Sequence, residues 1–132
     1  MIDLVENFVD YIKTDFAKDY SVNFESNFTP LEKRNNNLTT ILVRCDSVGY
    51  DERSRDYKTY GLSFVFKNED FYKVRDDSFK FYFDFTNSNI YNGTITLGDS
   101  KIRANINFFS NLSYLGESEN THYYEFKVNV II

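Results

Sequence analysis

The chain has no tryptophan, one cysteine, one histidine and one proline, and each shortage removes a class of chemistry. With Cys45 alone, no intrachain disulfide can form, so nothing points to an oxidising compartment. A structural zinc site needs about four Cys or His ligands; Cys45 and His122 are all there is. A Ser–His–acid or Cys–His pair would have to use His122, which sits in a strand pattern beside Tyr123 and Tyr124 and reads as an ordinary strand-end histidine. Cys45 closes an apolar stretch and reads as a small core residue, since buried thiols are usually inert. Gly93 and Gly98 make no phosphate-cradling loop, because no Gly-Lys-Ser/Thr follows them.

Basic clusters are missing too. The net charge is −5 with signs mixed along the chain, and no short window gathers the Lys and Arg that neutralising several phosphates requires. Sequence-specific nucleic-acid binding is therefore not expected. No apolar run approaches the roughly 18 residues of a membrane-spanning helix, and Asp3 and Glu6 stand where a signal peptide carries Lys or Arg. The expectation is a soluble protein made in a cytoplasm, not an enzyme, with no catalytic residue, metal or cofactor, working by binding other proteins.

What the chain does have is aromatic residues, 14 Phe and 11 Tyr in 132 positions. Each ring can bury on the order of 150–250 Å², so one domain of this length can carry a substantial core. Apolar and charged shares of 42% and 27% are those of a folded globule. Asparagine is abundant, including Asn35-Asn36-Asn37; with Phe, Tyr, Ile and Lys it points to an AT-rich coding genome. In so Asn-rich a chain, the Asn-x-Ser/Thr triplets at Asn27, Asn37, Asn92 and Asn111 read as chance.

The periodicity divides the chain. Ile2, Val5, Val9, Ile12 and Phe16, widened by Leu4 and Phe8, predict a one-faced helix over 1–18. Tyr20, Val22 and Phe24 alternate with polar residues and predict a strand over 20–26. A polar loop with Pro30 follows, then a β-branched strand over 38–45 (LTTILVRC), a charged loop over 46–56 and an alternating strand over 57–66. Further strands are expected at 94–97, 101–109 and 121–132. Residues 68–86 carry two patterns. Phe79, Phe81, Phe83 and Phe85 alternate as in a strand, which propensity favours for 79–86. Phe71, Val74, Ser78, Tyr82 and Phe85 form a helical stripe, with Asn68 as N-cap and Glu69 and Asp70 in the first turn.

Three clusters invite a functional reading. Glu125-Phe126-Lys127, with an upstream acid such as Asp99, has the makings of a metal-dependent nuclease core, against the plainer reading of a solvated strand face shared with Asn129. Asp51, Glu52, Arg53 and Arg55 form the densest polar loop, either merely solvated or an interface loop. Tyr114 and Leu115 begin the connection to the last strand and are contact candidates if exposed.

The order of elements resembles the tail terminator (tail completion, or minor capsid) proteins of long-tailed bacteriophages. It does so over nearly the whole chain: the stripe Ile2/Val5/Val9/Ile12, the strand LTTILVRC with its loop DSVGYDE, the segment YGLSFVFKNEDFYKVRDDSFKFYF, and the ending YLGESENTHYYEFKVNVII. The resemblance implies an α+β domain, a mostly antiparallel sheet packed by the N-terminal helix and a second helix near residues 68–86. It implies a homo-oligomeric ring, commonly of six subunits, that caps the tail tube and joins it to the head connector in the virion. The rival readings are another connector, stopper, tube or baseplate subunit, a cytoplasmic adaptor or ligand-binding domain, and a nuclease-like enzyme.

Overall fold

A computed structural model describes residues 2–26, 37–51, 54–88, 94–97 and 102–131. The chain runs α1 (Ile2–Tyr11), continued by a π-helical turn at Ile12–Phe16, then β1 (Val22–Ser26), β2 (Thr39–Asp51), β3 (Ser54–Asn68), α2 (Phe71–Thr86), β4 (Thr94–Leu97), β5 (Ile102–Ser118) and β6 (Thr121–Ile131). The strands form one sheet in the order β1-β2-β3-β6-β5-β4. Only β1–β2 is parallel; every other pairing is antiparallel. The domain is α+β.

Strand alternation puts one row of side chains under the helices. Ile41 and Val43 of β2, Leu62, Phe64 and Phe66 of β3, and Phe126, Val128 and Val130 of β6 are buried and stand opposite one another in register. The helices cover them with Phe8 and Ile12 on one side and Val74, Ser78, Phe81 and Phe85 on the other. The core is largely a ring lattice: Phe64 stacks on Phe126 at 4.8 Å, Phe81 meets Phe66 at 5.3 Å, and Phe8 meets Phe64 edge-on at 6.0 Å. In the π turn the Ala17 N–H donates to the Ile12 carbonyl at 2.7 Å, and Ile12 and Ala17 are both buried.

Several expectations change. Residues 79–86 are helix, as the resemblance implies and against the strand that propensity favours. The alternating phenylalanines split into two i, i+4 pairs, Phe81 and Phe85 fully buried, Phe79 and Phe83 exposed. The N-cap is Asp70 rather than Asn68: its carboxylate accepts from the Tyr72 and Lys73 N–H groups at 3.0 and 3.2 Å. Asn68 is the last residue of β3, and its Oδ1 accepts from the Asp70 N–H at 3.0 Å. Residues 46–51 and 54–56 are strand rather than loop. Asp46, Ser47, Val48 and Gly49 are all exposed, and strand exposed on both faces carries the polarity of a loop. Residues 110–118 also belong to a strand. Register shifts between Phe108 and Ser110, Ser110 and Ser113, and Tyr114 and Gly116 break the two-residue period while the backbone stays paired. The loop around Pro30 lies outside the described residues.

Candidate protein-binding interface

Helix α2 is held in one rotation by polar contacts along one flank and rings along the other. On the first flank the Thr39 hydroxyl donates to Asp77 at 2.5 Å, the Asn68 amide donates to Thr39 at 3.1 Å, and the Tyr20 hydroxyl donates to Asp84. Burial first, then that carboxylate, raises the Tyr20 phenol above its ordinary value. On the second flank the Tyr82 hydroxyl donates to Asn111 Oδ1 at 3.4 Å, and Phe71 packs against Tyr114 at 5.5 Å and His122 at 5.3 Å. So pinned, the helix turns Tyr72, Phe79 and Phe83 outward, 66%, 43% and 57% exposed.

These rings are continuous with the sheet. Phe83 contacts Phe79, Phe79 contacts Tyr124, Tyr124 contacts Tyr114, and Tyr114 returns through Phe71 to Tyr72. Tyr114 is 44% exposed, so four partly bare aromatics share one surface. Taking roughly 150–250 Å² per ring, they leave about 400 Å² of aromatic area in water, within the range of the largest patch on a typical monomer. The charged groups around it are mostly acids: Glu69, Asp70, Asp76, Glu117 and Glu119 are exposed. The one cation in this surface among the described residues, Arg75, is paired to Asp76 at 3.0 Å and lies 5.1 Å from the Tyr72 ring.

The expected site residues scatter. Tyr114 joins the patch. Leu115 is the extra residue of the bulge beside it, exposed but outside the chain of ring contacts. Asp51 and Arg55 lie in the ribbon of β2 and β3 that runs beyond the sheet, while Glu52 and Arg53 lie outside the described residues. β6 pairs with β3 from Thr59 on, so among the described residues only Tyr50–Asp51 and Ser54–Lys58 extend beyond it, while Ser47, Val48 and Gly49 pair with Gly61, Tyr60 and Thr59 inside the sheet. At Gly61 an added Cβ would collide with the Ser47 hydroxyl beside the Cys45/Ser47 register shift. Val48, opposite Tyr60, is 44% exposed, the sole exposed large aliphatic side chain besides Leu115 among the described residues.

The other candidates have structural occupations. Glu125 faces away from the helices and pairs with Arg44 at 3.2 Å and Lys127 at 4.0 Å; Asp99 lies outside the described residues. The His122 Nδ1 shares a hydrogen bond of 2.9 Å with the Tyr114 hydroxyl. Burial pushes the Cys45 thiol up, and its Sγ donates to the Ser47 carbonyl at 3.6 Å. In the polar cleft between Tyr20 and α2, Lys73 is paired with Asp77 and Lys80 lies over the Tyr20 ring. Among the described residues no three or more His, Cys, Asp or Glu side chains gather as a metal would need, and no helix is long and apolar enough to cross a membrane.

Sequence reasoning missed Tyr72, Phe79 and Phe83. Their signal was present as the excess of phenylalanine over what one helix face can bury. A comparison with protein-family models and with curated proteins finds no match to this sequence.

Proposed function

We propose that this chain is a structural assembly subunit of a long-tailed phage tail, of the terminator kind, which self-associates into a ring, caps the tail tube and meets the head connector. The observation that carries this reading is the aromatic patch of Tyr72, Phe79, Phe83 and Tyr114, left in water by a domain that packs its other described phenylalanines closely. A helix with two apolar faces has one for its own sheet and one for another protein. The helix at Phe71–Thr86 stands where the resemblance requires one, against the propensity of its own alternating phenylalanines.

The reading is tested by light scattering and electron microscopy on the purified chain, alone and mixed with assembled tail tubes. A closed ring in solution, or one formed at tube ends, is the expected result. A chain that remains monomeric and ignores tubes overturns it.

A further inference from the structure

From the spacing of the exposed rings and the charge around them we infer that the aromatic patch seats a helix of a different protein, one carrying Lys or Arg beside a row of aliphatic side chains. This rests on the assembly reading above and gives the patch to the docked partner rather than to the neighbouring copy. Lys80 and Asp84 of α2 turn toward Tyr20; the other exposed positions of the helix are Tyr72, Asp76, Phe79 and Phe83, at intervals of four, three and four residues. That is the spacing of a seam along which two helices lie side by side. From Tyr72 to Phe83 it runs about 16 Å, three turns of a helix, and Tyr114 of β5 borders it against Phe71 and Tyr124. An added strand fits less well. β5 departs from regular pairing at three places, and bulges of that kind spoil a sheet edge for strand addition.

Charge selects the occupant. Glu69 and Glu119 are exposed and pair with no cation among the described residues, and Glu117 reaches only the His122 ring at 4.0 Å. Arg75, the cation of this surface, is held by Asp76 at 3.0 Å. The missing cations must come from the partner, and this chain has few to offer. Arg44, Lys67, Lys73 and Lys127 are each paired with an acid of their own chain, no short stretch of the sequence is basic, and the whole carries −5. Two patches laid on each other would oppose the same unpaired acids. The patch's roughly 400 Å² is also about half of what each partner of a stable dimer commits, which suits a single helix better than a second copy.

Three labelled peptides of about 14 residues, some 21 Å long as helices, test this with the full chain by fluorescence anisotropy. One sets Leu on one face and Lys on the other, the second replaces Lys by Glu, and the third keeps Lys and replaces Leu by Gln. Only the Leu/Lys peptide should bind, one per chain. Phe79→Ser with Phe83→Ser should weaken it more than about tenfold, and Glu69→Gln with Glu119→Gln several-fold, with circular dichroism showing both variants folded. Asp10→Asn with Asp19→Asn neutralises two acids as the Glu pair does, from −5 to −3 in each case, but away from the patch, and should change nothing. Helix docking is overturned if the Leu/Lys peptide does not bind, if either other peptide binds as well, or if either patch variant binds like the unaltered chain. It is overturned too if Asp10 and Asp19 matter as much as Glu69 and Glu119. If Phe79→Ser with Phe83→Ser instead abolishes association of the chain with itself, the occupant is a second copy; helix docking then fails and the tail reading stands. Peptide binding by a chain that forms no ring and ignores tail tubes does the reverse.

Discussion

At the scale of the residue, the most informative single group is the Tyr20 hydroxyl, because it ties the start of β1 to α2 through Asp84. Burial and that carboxylate both favour the protonated phenol, so the folded chain holds this proton at pH values where the unfolded chain, with a pKa near about 10, releases it. The sign follows from linkage: the contribution to stability is fully present below pH about 10 and is lost as pH rises through the alkaline range. Tyr20→Phe should cost about 1 kcal/mol at neutral pH through the lost hydrogen bond and should flatten the alkaline decline. Burial raises Tyr124 as well, so part of that decline remains in the variant. Urea midpoints at neutral pH and above pH 10 measure both effects. Parallel curves for the variant and the unaltered chain would show that Tyr20 titrates as a free phenol.

At the scale of the element, α2 shows how a short cap can outweigh a strong local pattern. Read as a strand, residues 79–86 would put Phe79, Phe81, Phe83 and Phe85 on a single face. The cap at Asp70 and the Thr39–Asp77 hydrogen bond set a helix instead and divide them between core and solvent. Asp70→Ala should therefore destabilise the domain by about 1 kcal/mol, while Glu69→Ala next to it should change stability by less than about 0.5 kcal/mol. Equal midpoints for the two variants in denaturant would remove Asp70 from its role. The N-terminal helix, the strand of Ile41 and Val43, and the final strand of Tyr124, Phe126, Val128 and Val130 were legible because one face of each is buried and their apolar spacing says so. The far end of β2 and the second half of β5 were not. Asp46, Ser47, Val48 and Gly49 are all exposed, and in β5 three register shifts scramble the two-residue period, so neither leaves a burial signature. Of the candidate site, Tyr114 was singled out in the sequence and is exposed, but Tyr72, Phe79 and Phe83 were hidden inside the ambiguity of α2.

At the scale of the whole molecule, net charge and local charge pull assembly in opposite directions. Every copy carries −5, so bringing copies together costs repulsion, and salt should relieve that cost as the screening length falls from about 10 Å at 0.1 M to about 3 Å at 1 M. A pairing of Arg53 and Arg55 with acids of a neighbouring copy would act the other way, and such an attraction weakens in salt. Substitution separates the two. Arg53→Gln with Arg55→Gln moves the net charge from −5 to −7, and Arg53→Glu with Arg55→Glu moves it from −5 to −9, two units per Arg→Glu change. If net charge alone matters, raising salt should restore assembly of both variants to that of the unaltered chain. If the arginines pair with a neighbouring copy's acids, the Gln variant should remain defective at high salt, where repulsion is screened but the charge-assisted contacts are still missing. We expect the second result, with melting points unchanged because loop and ribbon charges away from a core usually move stability by less than about 0.5 kcal/mol. Sedimentation velocity of the three chains across a salt series reads the outcome. Full assembly of the Glu variant at low salt would mean that these two charges meet only water.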